Sequence, residues 1–247
     1  MTMRALSAQT QIELRLSLRR GESLLITLAV PVLLLVFFAS LSIVRFPGSL
    51  SSPIGYLLPG MLTLAVISNG MVSAGIATAY DRYYGVLKLL GSSPLSRASL
   101  ITAKVLAIIA FEIIQLVLLF TVAVLFYGWR PSGSVTETII ALLLGTATFT
   151  GIGLAMAGSL RAEVTLAGAN GLYLLFLLLG DAVLPLNHLP GALQFIARML
   201  PAAPLADALR IAMGSGIFAG RYGLSLAEEA LWAVVVLAIA VRTFRWE

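Results

Sequence analysis

A carboxylic acid lies inside one of the most apolar stretches of the sequence. Glu112 falls about a third of the way into residues 101–127, and Gln115 follows three positions later. An ionisable side chain at bilayer depth is costly unless it faces protein or water. Glu112 could therefore line a substrate path or a proton relay, or it could form a structural hydrogen bond to a neighbouring helix or a second copy of the chain. Both interpretations stay open at this stage.

Other catalytic chemistry is poorly supported by the residue types. The chain has no cysteine and a single histidine, which leaves too few ligands or nucleophiles for zinc or thiol designs. Ser215 stands between two glycines and could suggest a serine hydrolase, but glycine and serine are ordinary residues where a loop turns back to a span. His188 is interpreted as a polar loop residue. We expect no catalytic residue and no metal site on this chain.

The sequence also lacks a phosphate-binding loop. Such a loop has the pattern Gly-x-x-x-x-Gly-Lys followed by Ser or Thr. The two lysines, Lys88 and Lys104, are followed by Leu89 and Val105. The chain cannot hydrolyse ATP by this route, and no nucleotide cofactor is expected on it.

The composition predicts an all-α integral membrane protein. Of 247 residues, 60% are hydrophobic and 11% charged, with mean hydropathy +1.01, whereas soluble domains have about 25% charged residues. A helical span needs about twenty apolar residues. Six stretches meet this length, the last of them with charged residues at both ends: Leu24–Val44, Leu57–Ala79, Ile101–Tyr127, Thr138–Leu160, Val164–Leu184 and Leu226–Phe244.

The distribution of basic residues predicts the orientation. The sequence has 16 Lys and Arg against 11 Asp and Glu, and most of the basic residues fall on the side that carries both termini of a six-span chain. Basic loops are retained in the cytoplasm, so both termini are expected to be cytoplasmic. The basic residues are scattered at span ends and form no continuous stripe, so nucleic acid is not expected as a partner.

Three segments outside the spans carry further predictions within a single transmembrane domain of residues 1–247. Residues 1–23 alternate apolar and polar side chains, but a lone strand beside a bilayer would leave its backbone unpaired, so an interfacial helix in contact with membrane lipid is preferred. Residues 81–100 form a cytoplasmic loop. Residues 185–225 form an apolar external region interrupted by Pro190, Pro201 and Pro204, which predicts short re-entrant or interfacial helices.

The start of the cytoplasmic loop is charged and amphipathic. It reads Asp81-Arg82-Tyr83-Tyr84-Gly85-Val86-Leu87-Lys88-Leu89-Leu90. This pattern predicts a short helix that docks either on the lipid interface or on a partner protein. The residue types alone favour neither.

Three sets of residues, in order along the chain, resemble those of ABC type-2 permeases, the membrane subunits of exporters. The first is Leu58-Pro59-Gly60 at the start of the second span. The second is the cytoplasmic set Asp81, Arg82, Gly85, Leu87, Leu90, Ser93 and Pro94. The third is the external set Leu189-Pro190, Leu193, Ile196, Leu200-Pro201, Pro204-Leu205, Ala208-Leu209-Arg210 and Gly214.

The resemblance implies an elbow helix, six spans, a coupling helix between the second and third spans, and two external helices. It also implies a second permease subunit, the same or homologous, and separate ATPase subunits that bind ATP and Mg. The implied function is export of a drug, lipid or lipid-linked glycan across a bacterial cell membrane. Where the family often has a second charged pair, this chain has Tyr83 and Tyr84. The alternative is a secondary transporter driven by an ion gradient, with Glu112 as the proton-coupling site.

Overall fold

The computed structural model describes residues 3–19, 21–40, 53–91, 97–214 and 220–243. Within these ranges the chain is helical with short connections and contains no strand, which confirms the predicted fold class. The helices are α1 Met3–Arg19, α2 Gly21–Ser40, α3 Ile54–Val66, α4 Ala74–Tyr83, α5 Val86–Gly91, α6 Arg97–Tyr127, α7 Val135–Ser159, α8 Ala162–Leu179, α9 Gly191–Met199, α10 Ala202–Ala212 and α11 Tyr222–Thr243.

Five helical stretches among the described residues are long and apolar enough to cross a bilayer. Each overlaps a predicted span, so the apolar helices expected at these five positions are confirmed. They are Ile54–Tyr83, Leu100–Tyr127, Val135–Ser159, Ala162–Leu179 and Tyr222–Thr243. The predicted first span corresponds to α2, but its last residues, 41–44, lie outside the described ranges, so that crossing stays a prediction.

Contacts between helix ends define two sides of the molecule. On one side, Arg82 at the end of α4 donates a hydrogen bond to the carbonyl of Leu160, between α7 and α8. On the other side, the backbone N–H of Ser134 donates to the carbonyl of Ala212 at the end of α10, 2.7 Å away. We call these the α5 side and the α10 side. Helices α1 and α5 lie on the first, and α9 and α10 on the second.

The helix of the second span lies at the centre of the fold. A π-helical segment, Ile67–Ser73, joins α3 to α4 without a break, and most of the Ile54–Tyr83 span is buried. Its backbone touches that of α7: a Cβ atom on Gly153 would lie 2.7 Å from the carbonyl oxygen of Met71, and one on Gly75 would lie 3.0 Å from Cα of Gly153. Only glycine permits this approach, which fixes α7 against the central helix.

The fifth span ends earlier than predicted. Helix α8 ends at Leu179, five residues before the predicted end at Leu184, and Asp181 has a φ of 57°. Aspartate is one of the few residue types that tolerate this left-handed conformation. The chain leaves the helix here because the carboxylate of Asp181 binds side chains of other helices, as described below.

The region predicted to hold short helices between the last two spans contains them. After a 3-10 turn at Leu186–His188, α9 and α10 follow, and Pro190 and Pro201 immediately precede their first residues. Proline suits the start of a helix because the N–H it lacks has no partner there. The last part of the predicted region includes residues 215–219, which lie outside the described ranges.

Candidate functional site

The predicted coupling helix is divided by a bend. Asp81, Arg82 and Tyr83 form the last turn of α4, and α5 begins only at Val86. Between them Gly85 has a φ of 74°, a conformation that glycine adopts at little cost. The helix expected from Asp81 onwards therefore begins five residues later, after a turn at Tyr84 and Gly85.

Side chains around this bend point in different directions. Tyr83, Tyr84 and Leu89 are 65%, 72% and 74% exposed, and we call these three the docking surface. Leu87 is only 1% exposed and packs inwards. Lys88 is exposed, and the side chain of Leu90 lies outside the described residues, as do Ser93 and Pro94.

The tyrosines of the docking surface are held by one another. The rings of Tyr83 and Tyr84 meet edge to face with centroids 5.1 Å apart. Tyr84 also stacks on Tyr80 at 6.1 Å. Such pairs stabilise a defined ring arrangement, so the two tyrosines present an ordered aromatic surface on the α5 side.

Asp81 points into the molecule. Its Oδ2 lies 3.2 Å from Nζ of Lys104 on α6, and the same ammonium lies 3.1 Å from Oε2 of Glu13 on α1. Lys104 is 5% exposed. A buried ammonium needs compensating charge, and the two carboxylates supply it. The cluster ties α1, α4 and α6 together directly behind the docking surface.

Arg82 binds the end of a different helix. Its Nη1 donates to the carbonyl oxygen of Gly158 at 2.6 Å, and its Nη2 donates to that of Leu160. These carbonyls lie at the C-terminus of α7, where a cation is favoured by unpaired acceptors and by the helix dipole. Beside this contact a cavity of about 440 Å³ is lined in part by Tyr83 and Glu163.

Sequence reasoning placed Asp81 and Arg82 among the residues that contact a partner, and the structure engages both within the chain. It did not identify Glu13 or Lys104 as their neighbours. The signal available was weak, because Lys104 is 23 positions from Asp81 and 91 positions from Glu13.

The polar pair of the third span contacts two different helices. Thr146 of α7 donates to Oε2 of Glu112 at 2.6 Å. Gln115, 1% exposed, donates from Nε2 to the carbonyl oxygen of Leu28 on α2 at 3.2 Å. The structure therefore does not bring Glu112 and Gln115 to a common ligand. It joins α6 to α7 through one and to α2 through the other.

A second membrane carboxylate was not singled out from the sequence. Glu229 of α11 is fully buried against α7, where Thr148 donates to its backbone carbonyl at 3.3 Å. Neither carboxylate oxygen has a hydrogen-bond partner among the described residues. From the sequence, this glutamate lay in the charged start of a sixth span predicted to begin at Leu226. Helix α11 begins earlier, at Tyr222, so Glu229 lies further inside the helix than predicted.

Arg210, predicted as part of the external motif, lies in a buried ion-pair cluster. Its Nη1 is 2.5 Å from Oδ2 of Asp181, and its guanidinium lies 3.7 Å from the ring centroid of Tyr56. Tyr56 donates from Oη to Oδ1 of Asp181 at 2.7 Å. Asp207 is 3.6 Å from the same Arg210 nitrogen. The cluster joins α3, the end of α8 and α10.

The remaining candidates have no defined chemistry in the structure. Pro204 lies in the first turn of α10 and is buried. His188 is exposed in the 3-10 turn, and Ser215 lies outside the described residues. No group of three or more potential metal ligands occurs in the described part of the chain.

Five helices that can cross a bilayer, with short amphipathic helices on both sides, define a multi-pass membrane protein. A family model described as ABC-2 type transporter matches residues 4–213, which is most of the chain. The chain belongs to the ABC-2 type transporter family and is a membrane transport permease.

Two curated relatives carry names that describe them as transport permeases. The ycf38 protein of Porphyra purpurea is 30% identical over 200 residues, which cover 78% of this chain and 68% of the relative. That of Pyropia yezoensis is 30% identical over 190 residues, covering 74% and 65% respectively. The similarity thus spans about two thirds of the length of these relatives.

Proposed function

We propose that the chain is the permease subunit of an ATP-driven exporter that moves an amphipathic substrate, such as a drug, a lipid or a lipid-linked glycan, out of the cytoplasm. The sequence has no phosphate-binding loop, so a separate ATPase subunit would bind ATP and Mg and supply the energy. A second permease subunit, identical or homologous, would complete the pathway.

The observation that carries this proposal is the docking surface. Tyr83, Tyr84 and Leu89 are exposed at the end of the most buried span, and exposed aromatic residues are enriched at protein interfaces. Leu87 anchors α5 from beneath. An ATPase subunit that pressed on this surface would act directly on the central helix.

The buried contacts behind the docking surface offer a route for that force. The ion pair of Asp81 with Lys104 links α4 to α6. The hydrogen bonds of Arg82 link α4 to the end of α7. Movement of α4 would therefore displace two other spans, which is what a change of access from one side to the other requires.

The orientation is also a proposal. Basic residues are concentrated on the α5 side, and such segments stay in the cytoplasm, so the α5 side with both termini would be cytoplasmic. We place the chain in a bacterial cell membrane because its motifs resemble those of ABC type-2 permeases. The two relatives come from red algae. Fractionation of the native host would identify the membrane.

Reconstitution separates this proposal from an ion-gradient transporter. The chain would be purified with the ATPase subunit that accompanies it and placed in vesicles with and without that subunit. We expect transport only with the ATPase and ATP. Transport without the ATPase that is lost in Glu112→Gln would instead support proton coupling. The hydrogen bond that Thr146 donates to Glu112 fits the other role considered for Glu112, a structural link between α6 and α7.

A further inference from the structure

A cavity on the α10 side lies beside the ion-pair cluster of Arg210. Its volume is about 620 Å³, within the range of small-molecule sites. The buried pair of Tyr56 and Asp181 contributes to its wall, α9 and α10 supply further parts, and the beginning of α11 completes it.

The cavity is lined by charges of both signs. Arg198 of α9 and Arg221 before α11 are exposed, and among the described residues neither forms an ion pair within 4 Å. Asp207 and Glu228 supply carboxylates. Asp181 is paired with Arg210 at 2.5 Å, whereas Asp207 lies 3.6 Å from the same nitrogen and keeps the longer contact. The cavity therefore offers a ligand two arginines and two carboxylates, of which Asp207 also faces Arg210.

One wall of the cavity is shared with an apolar surface. Phe195 and Met199 line the cavity and are 63% and 58% exposed. Leu193 and Ile196, on the same short helix, are also exposed. Helices that have such an apolar face beside an arginine typically lie at the level of the lipid headgroups. The cavity is therefore positioned to open towards lipid.

We propose that this cavity binds the zwitterionic headgroup of a phospholipid from the leaflet on the α10 side. Arg198 and Arg221 would bind the phosphate, since guanidinium groups match phosphate oxygens. Asp207 and Glu228 would bind the ammonium group. Phe195 and Met199 would contact the upper part of the acyl chains. The proposal does not depend on the energy source of transport.

The charge state of Asp207 is compatible with this role at neutral pH. Burial raises the pKa of Asp207 to about 6, Arg210 and Arg221 oppose that rise, and Asp181 and Glu228 add to it. The carboxylate is therefore mostly ionised at pH 7 and becomes neutral under mildly acidic conditions. Binding of an amine headgroup should weaken below about pH 6.

Lipid titration of the full chain in maltoside micelles, read by native mass spectrometry, tests the proposal. The probes are dihexanoyl phosphatidylethanolamine, dihexanoyl phosphatidylglycerol, which lacks the amine, and inorganic phosphate. We expect saturable binding of one phosphatidylethanolamine. Arg198→Gln and Arg221→Gln should each weaken it about tenfold. Arg130→Gln, an exposed arginine on the same side but outside the cavity, is the matched control and should leave binding unchanged.

The two parts of the headgroup are tested separately. Asp207→Asn should weaken phosphatidylethanolamine binding and leave phosphatidylglycerol binding almost unaltered. Phe195→Ser should weaken lipid but not phosphate, which separates a lipid site from a simple anion site. An equal loss in Arg130→Gln, equal potency of inorganic phosphate and lipid, or unchanged binding in both cavity arginine variants would each overturn the proposal.

Discussion

Lys104 on α6, a buried lysine, forms an ion pair with the partly buried Asp81 at the end of α4, with 3.2 Å between Nζ and Oδ2. Asp81 is the acidic member of the charged pair by which the cytoplasmic loop resembles ABC type-2 permeases. Its carboxylate is therefore used to join two spans and not to meet a partner directly. The docking surface left for a partner is aromatic and apolar, and the exposed Lys88 lies on the same short helix.

Removing the ammonium group should destabilise the α5 side. Lys104→Met would leave the partly buried carboxylates of Asp81 and Glu13 without their shared cation. The expected cost is about 3 kcal/mol, seen as a clear fall in the apparent melting temperature of the micelle-solubilised protein. Lys104→Arg, which keeps the charge, should recover part of this loss. A melting temperature unchanged in Lys104→Met would show that the cluster contributes nothing to stability.

The ion pair on the α10 side should be more sensitive, because Arg210 is fully buried. Arg210→Met would strand the carboxylate of Asp181 and is expected to cost about 3–5 kcal/mol. Arg221→Gln, an exposed arginine on the same side, is the control and should change stability by less than about 0.5 kcal/mol. Combining Arg210→Met with Asp181→Asn should restore part of the loss. Equal effects of the two single arginine variants would contradict this assignment.

Close packing between α7 and the central helix predicts a strict requirement for glycine. Gly153→Ala would place a methyl group 2.7 Å from a backbone oxygen of Met71, and such overpacking costs about 1–3 kcal/mol. Gly171 on α8 has no atom within 4 Å of an added Cβ. Gly171→Ala should therefore be neutral or stabilising. Thermal unfolding of both variants compares the two sites, and a similar change in both would exclude specific contact at Gly153.

The raised pKa of Asp207 predicts a pH-dependent stability difference. Its pKa is about 6 in the folded protein and about 3.9 in an unfolded chain, so the folded state binds more protons between these values. Stability from this group is therefore lost as pH rises through that range. Asp207→Asn should raise the apparent melting temperature at about pH 7.5, and the gain should shrink towards about pH 4. An equal difference at every pH would be inconsistent with this assignment.

The sequence was sufficient to predict the helical class and five of the helices that can cross a bilayer, because each apolar run is long and bounded by charge. It was also sufficient for the short helices near Pro190 and Pro201. The break at Gly85 was missed because local propensity favours a continuous helix from Asp81, and only the backbone conformation of Gly85 reveals the turn. The exposed face was therefore assigned in part to Leu87, which is buried.

Long-range pairing explains what else could not be predicted. Asp181 binds Tyr56, 125 positions away, and Arg210, 29 positions away. The local signal at this helix end is weak: Gly180 can end a helix, but the apolar run continues to Leu184. The same holds for Glu229, whose burial depends on α7.

We propose that an ATPase subunit docks on Tyr83, Tyr84 and Leu89. The most direct test compares Tyr84→Ala and Leu89→Asn with Leu18→Asn, an exposed leucine on α1 outside the docking surface. The measurement is the amount of ATPase subunit retained by each purified, tagged chain. We expect at least about a tenfold reduction for the two docking-surface variants, with Leu18→Asn unchanged. Full retention of the ATPase by both Tyr84→Ala and Leu89→Asn would show that the ATPase does not dock on this surface.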